Sequence, residues 1–65
     1  MKWPIGKIIE ARPCFESPWL KAEIVGHLGD NTSEPIVLIV ERDPVWHGAQ
    51  VSRKNGALIR EARDV

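Results

Sequence analysis

Tyrosine is absent from the chain, phenylalanine and cysteine occur once each, and the charges cancel at nine of either sign. Each shortage removes a class of answer. A lone Cys14 makes an internal disulfide impossible. The other soft ligands are His27 and His47, and none of the three has CxxC or HxxxH spacing, so no metal site is expected. Balanced charge argues against strong, sequence-independent binding to duplex DNA, which needs a broad excess of Lys and Arg. The longest apolar run, Pro35 to Val40, is far too short to cross a bilayer. The opening Met1-Lys2-Trp3-Pro4-Ile5-Gly6 has no apolar signal-type stretch. Together with a single reduced thiol, these features predict a cytoplasmic protein without membrane contact. GxSxG, P-loop and HExxH patterns are missing. A Cys14–His27 or Cys14–His47 dyad, or a Glu10–Glu23 carboxylate pair, is the catalytic combination on offer. An isolated loop thiol and solvent-facing carboxylates account for the same residues more simply. The expectation is a non-enzyme that needs no cofactor.

What is present fits one small globular domain over residues 1–65. Apolar residues make up 43% and charged residues 28%, too apolar for a disordered chain. A chain of this length buries only about 60% of its unfolded surface, so its stability is thin. With a disulfide excluded and no metal site in view, self-association is the staple left, and a homo-oligomer is predicted.

Gly6, Pro13, Pro18, Gly26, Gly29, Pro35, Pro44, Gly48 and Gly56 leave few windows long enough for a helix, and the intervals are rich in Val, Ile and Trp. That combination predicts an all-β chain. Ile5 to Arg12 reads as a first strand, with Ile5, Ile9 and Ala11 on one face and Ile8, Glu10 and Arg12 on the other. Trp19 to Leu28 alternates most cleanly. Leu20, Ala22, Ile24, Gly26 and Leu28 face the core, while Trp19, Lys21, Glu23, Val25 and His27 face out. Gly29 to Pro35 reads as a turn-forming loop, and Ile36 to Glu41 as a central strand, apolar on both faces. Val45 to Lys54 is predicted as a fourth strand, with Val45, Ala49 and Val51 on one face. Asn55-Gly56 then signals a two-residue hairpin turn that sets Lys54 opposite Ala57 and Ser52 opposite Ile59. In that register Arg60 shares a face with Val51, Leu58 and Ala62. Residues 57–62 are either a fifth strand or a short C-terminal helical turn. Five short strands are most economically closed into a small barrel.

Several stretches carry a family resemblance: Ile5-Gly6-Lys7-Ile8-Ile9-Glu10-Ala11, Trp19-Leu20-Lys21-Ala22-Glu23-Ile24-Val25, Pro35 to Val40, and Ala49-Gln50-Val51. Their order resembles the SH3-like barrels, and within them the Tudor-type strand pattern. The resemblance implies a five-stranded SH3-like barrel. Tudor-type readers of methylated Lys or Arg use a cage rich in Tyr and Phe, and here Trp19 alone has a clear counterpart, so methyl-mark reading is not carried over. Compact barrels of this kind also look like phage-encoded accessory proteins, some of which inhibit host defence enzymes while others sequester nucleotide signals.

Three tryptophans among 65 residues are many, and exposed indoles mark interfaces or ligand platforms. Trp19 and Trp46 fall outside the predicted core set. Trp3 either plugs the end of the barrel or joins an interface. Trp46-His47-Gly48 offers a stacking ring, an imidazole and a glycine for close approach. Arg53 and Lys54 add cations at a predicted turn, with Arg60 and Arg63 extending the patch. The expected function is therefore a non-enzymatic module working by protein–protein contact, a phage-type inhibitor being one form. The alternative is a nucleotide or single-stranded nucleic-acid binder. The candidate binding residues for either are Trp19, Trp46, His47, Arg53, Lys54 and Arg60.

Overall fold

The computed structural model of the chain describes residues 3–29 and 31–62. It is all-β: one antiparallel sheet of five strands, β1 (Ile8–Arg12), β2 (Leu20–Leu28), β3 (Asn31–Ile39), β4 (Gln50–Ser52) and β5 (Leu58–Glu61), in spatial order β4-β3-β2-β1-β5. The sole helical segment among the described residues is a 3₁₀ turn at Arg53–Asn55. No helix there is long and apolar enough to cross a membrane.

Period-two patterning decides which side chains are buried. Ile9 and Ala11 of β1, Leu20, Ala22 and Ile24 of β2, Val37 and Ile39 of β3, Val51 of β4 and Ile59 of β5 form one core on one face of the sheet. The alternation expected along β2 holds only to Ile24. Ile24 pairs with Val37 and Gly26 with Ile36, so Val25 is an extra residue, a bulge, and Leu28 beyond it is only half-buried. Ile5, expected beside Ile9, lies instead in the Pro4–Lys7 turn and is exposed.

Three further expectations are corrected. First, the stretch predicted as a loop over 29–35 is largely strand, because β3 begins at Asn31; Asp30 lies outside the described residues. Pro35 is tolerated there because the β2–β3 ladder is already irregular beside its partner His27, so a missing N–H costs little. Second, the fourth strand is only Gln50–Ser52, and Val45 stands out of the sheet, exposed, in the preceding turn.

Third, β4 and β5 are not a hairpin. Gly56 does adopt positive φ, +90°, but Asn55 does not, and a type I′ turn needs both. Gly56 instead ends the 3₁₀ turn, its N–H donating to the Arg53 carbonyl at 3.0 Å. β5 then pairs with β1, Ala11 opposite Ile59 and Glu10 opposite Arg60. Residues 58–61 are thus strand rather than helix. Ile59 is the residue that faces the core, which frees Arg60 and Leu58 to face outward.

The short link between β4 and β5 also shapes the sheet. In a flat five-stranded sheet the edge strands would stand roughly 19 Å apart. Here the Ala57 N–H reaches the Ser52 carbonyl at 3.2 Å, so β5 starts close to the end of β4. The sheet is strongly curved as a result.

Trp3 completes the core from outside the sheet. It is 3% exposed. The turn at Pro4–Lys7 folds it back, with the Lys7 N–H donating to the Pro4 carbonyl at 3.1 Å and Gly6 at φ +93°. His27 Nε2 lies 2.7 Å from the Trp3 carbonyl oxygen, so that nitrogen carries the proton. Arg53 and Lys7 lie over the indole at 5.6 and 6.0 Å from the ring centroid.

Trp3→Ala is expected to cost about 3–5 kcal/mol. For a domain of this size that is a large part of a total of roughly 3–10 kcal/mol. Arg53→Ala, which removes a cation over the ring and a long hydrogen bond to the Ile59 carbonyl, is expected to cost no more than about 1 kcal/mol. Urea denaturation of both variants checks the pair, and wild-type stability in Trp3→Ala would contradict the assignment of the indole to the core.

Candidate binding surface

Trp19 and Arg60 meet on the outer face of the sheet. The register sets Arg60 directly across from Glu10, and the Arg60 Nε donates to Glu10 Oε1 at 2.7 Å. The same guanidinium lies 3.9 Å from the Trp19 ring centroid. Trp19 is half-buried by this stacking. Both groups are partly solvated, so the ion pair contributes little to stability and serves mainly to fix the geometry.

Trp46 and His47 belong to a turn built by Asp43 and Pro44. Asp43 Oδ1 accepts the N–H groups of Val45 and Trp46, both at 2.9 Å, and the Asp43 carbonyl accepts that of His47 at 3.1 Å. An acceptor side chain followed by proline favours a tight turn that gathers the following N–H groups. Gly48, at φ +84°, ends it, and its N–H returns to the Ile39 carbonyl at 2.9 Å. The turn lays Trp46 half-buried against the core cluster. His47 is exposed, with Nδ1 2.9 Å from the Glu41 carbonyl oxygen, which leaves Nε2 free of that bond.

Arg53 and Lys54 stand apart from both. They line an open cleft of about 450 Å³ with Leu28 and Glu34. Arg53 is committed to the Trp3 ring and reaches the Ile59 carbonyl at 3.5 Å. His47 lines a second cleft, of about 410 Å³, with Arg42, Asp43 and Pro44. The six predicted residues therefore occupy three places: Trp19 with Arg60, Trp46 with His47, and Arg53 with Lys54. Arg63 lies outside the described residues.

A third groove, about 330 Å³, runs between the loop that follows β1 and the Asp43 turn. Cys14, Glu16, Ser17, Pro18, Asp43, Val45 and Trp46 line it. Arg12 holds the loop in place: its Nη2 donates to the Phe15 carbonyl, and its Nε to the Ser17 carbonyl at 2.9 Å. Phe15, on this loop, is 78% exposed, and Val45, on the opposite wall, is 75% exposed. Neither was singled out from the sequence. Phe15 carried a usable signal, the chain's one phenylalanine set between Pro13 and Pro18 where no strand could bury it. Val45 carried none, because its neighbours fit a strand face equally well.

Comparison of the chain with family models, curated proteins and solved structures gives no match.

Asp43→Ala leaves the Val45 and Trp46 N–H groups without their acceptor. A loss of about 1 kcal/mol is expected, together with a red shift of indole emission as Trp46 loosens from the core. Unchanged emission and stability would show that the turn holds without its cap.

Proposed function

We propose that this chain is a non-enzymatic binding module, a small SH3-like barrel in the cytoplasm that acts through protein–protein contact. The observation that carries the reading is two large apolar side chains held out to solvent at one groove: Val45 in its lining, and Phe15 projecting from the loop whose Cys14, Glu16, Ser17 and Pro18 form the other wall. Exposure of apolar side chains is costly unless something covers them. The groove is open and close to the smallest volumes, about 300 Å³, of small-molecule sites. That suits one or two side chains of another protein. Closure of the barrel is supported by the curvature of the sheet and by Arg53, which reaches from the end of β4 to the carbonyl of Ile59 on β5. The resemblance to phage accessory proteins makes a host defence enzyme the first partner class to test.

Nucleotide or single-strand binding ranks second. Its cations are divided: Arg60 is matched by Glu10 and Arg53 roofs Trp3. Lys54 contributes a cation to the Leu28–Glu34 cleft. A thermal-shift series with mono-, di- and cyclic nucleotides separates the two readings, because a ligand bound to the folded state alone raises the melting point. No shift is expected.

The main test is the Phe15→Ser/Val45→Ser double variant. Both side chains are exposed, so stability should change by no more than about 0.5 kcal/mol each. The immobilised wild-type chain is expected to retain, from cell extract, a stoichiometric partner that the variant does not, with a defined complex on reconstitution. Equal retention by both chains would remove the groove from the function. The same reading has the chain self-associate. A sedimentation run that finds only the 7.3 kDa monomer at micromolar concentration would remove that part alone.

A further inference from the structure

We infer that the protein segment seated between the loop after β1 and the Asp43 turn presents a bulky apolar side chain next to a lysine or arginine. This rests on the docking reading above and adds the partner's chemistry. The apolar part of the groove comes from Pro18, Val45 and Trp46, and its charged lining is Glu16 and Asp43, both carboxylates. Two carboxylates of the sheet have cations of their own, Glu10 with Arg60 at 2.7 Å and Glu61 with Lys7 at 2.9 Å. Glu16 is exposed and forms no ion pair among the described residues. Asp43 uses only Oδ1 on the turn's N–H groups, which leaves Oδ2 for an incoming donor.

The two arginines nearest in sequence form no ion pair with either carboxylate among the described residues. Arg12 donates to the loop carbonyls of Phe15 and Ser17, and Arg42 lines the adjoining cleft with His47. A cation arriving between Glu16 and Asp43 therefore meets unmatched negative charge, while its apolar neighbour covers Trp46 and Val45. Acidic segments and phosphate groups are repelled from the same place, which gives the groove discrimination as well as attraction.

Three short fluorescein-labelled peptides serve as probes for the full-length chain in fluorescence polarisation. One combines Lys and Arg with Leu and Trp, a second replaces the cations by Glu, and a third replaces them by Ser. The basic peptide is expected to bind best. Its affinity should fall at least about tenfold with Glu16→Lys, and should weaken as ionic strength rises from about 0.05 to about 0.5 M. Glu34→Lys makes the same change of net charge in the Leu28 cleft, and is expected to leave affinity within about twofold. Equal loss in the two variants would trace the effect to overall charge and overturn the inference. Equal binding of the Ser and basic peptides, lost in Val45→Ser but not in Glu16→Lys, would overturn it while keeping the docking groove. Preference for the acidic peptide would also overturn it. Failure of all three peptides to bind would reject the docking reading and the inference together.

Discussion

Enclosure of the Trp3 indole is the interaction on which the rest of the structure depends. A curved five-stranded sheet this short has one core and exposes part of it where its ends open. Trp3 fills that opening. Its main chain is held by His27 of β2 and its ring lies under Arg53 of the 3₁₀ turn and Lys7 of the segment leading into β1. One side chain near the N-terminus thus ties together β1, β2 and the link from β4 to β5. Two residues that look like ligand groups in the sequence, His27 and Arg53, are there for this reason.

The same economy shapes the candidate binding surface. Arg12 and Asp43 are polar residues that shape the two walls of the groove. One gathers the carbonyls of the loop after β1, and the other gathers the N–H groups of the turn before β4. Each fixes the backbone next to an apolar side chain that projects into solvent, Phe15 in one case and Val45 in the other. Loops held by backbone hydrogen bonds lose little further entropy on binding, which lets a small apolar contact count.

The all-β character and the core faces of β1 and of β2 as far as Ile24 were legible in the sequence, because strict alternation of Leu20, Ala22 and Ile24 has one physical reading. The reading failed where one local signal serves two geometries. Asn55-Gly56 marks a positive-φ glycine, which closes a hairpin or ends a 3₁₀ turn equally well; only the pairing of β5 with β1, a contact distant in sequence, decides. The Val25 bulge left no mark, since valine suits either face of a strand. Of the candidate residues, the outward placement of Trp19 and Arg60 follows from strand parity, once β5 is known to pair with β1. Trp46 and Arg53 do not cluster, because the Asp43 turn positions the first and the 3₁₀ turn after β4 the second, a separation that residue types alone do not reveal.

The two outermost strands span only Gln50–Ser52 and Leu58–Glu61. Rims so brief offer a visiting chain little main-chain template, which protects a protein of this size from growing into fibres. On the function proposed above, recognition falls to side chains on loops that the sheet does not need in order to fold. Such a scaffold is free to exchange one target for another over evolutionary time by altering a few positions, without renegotiating its architecture.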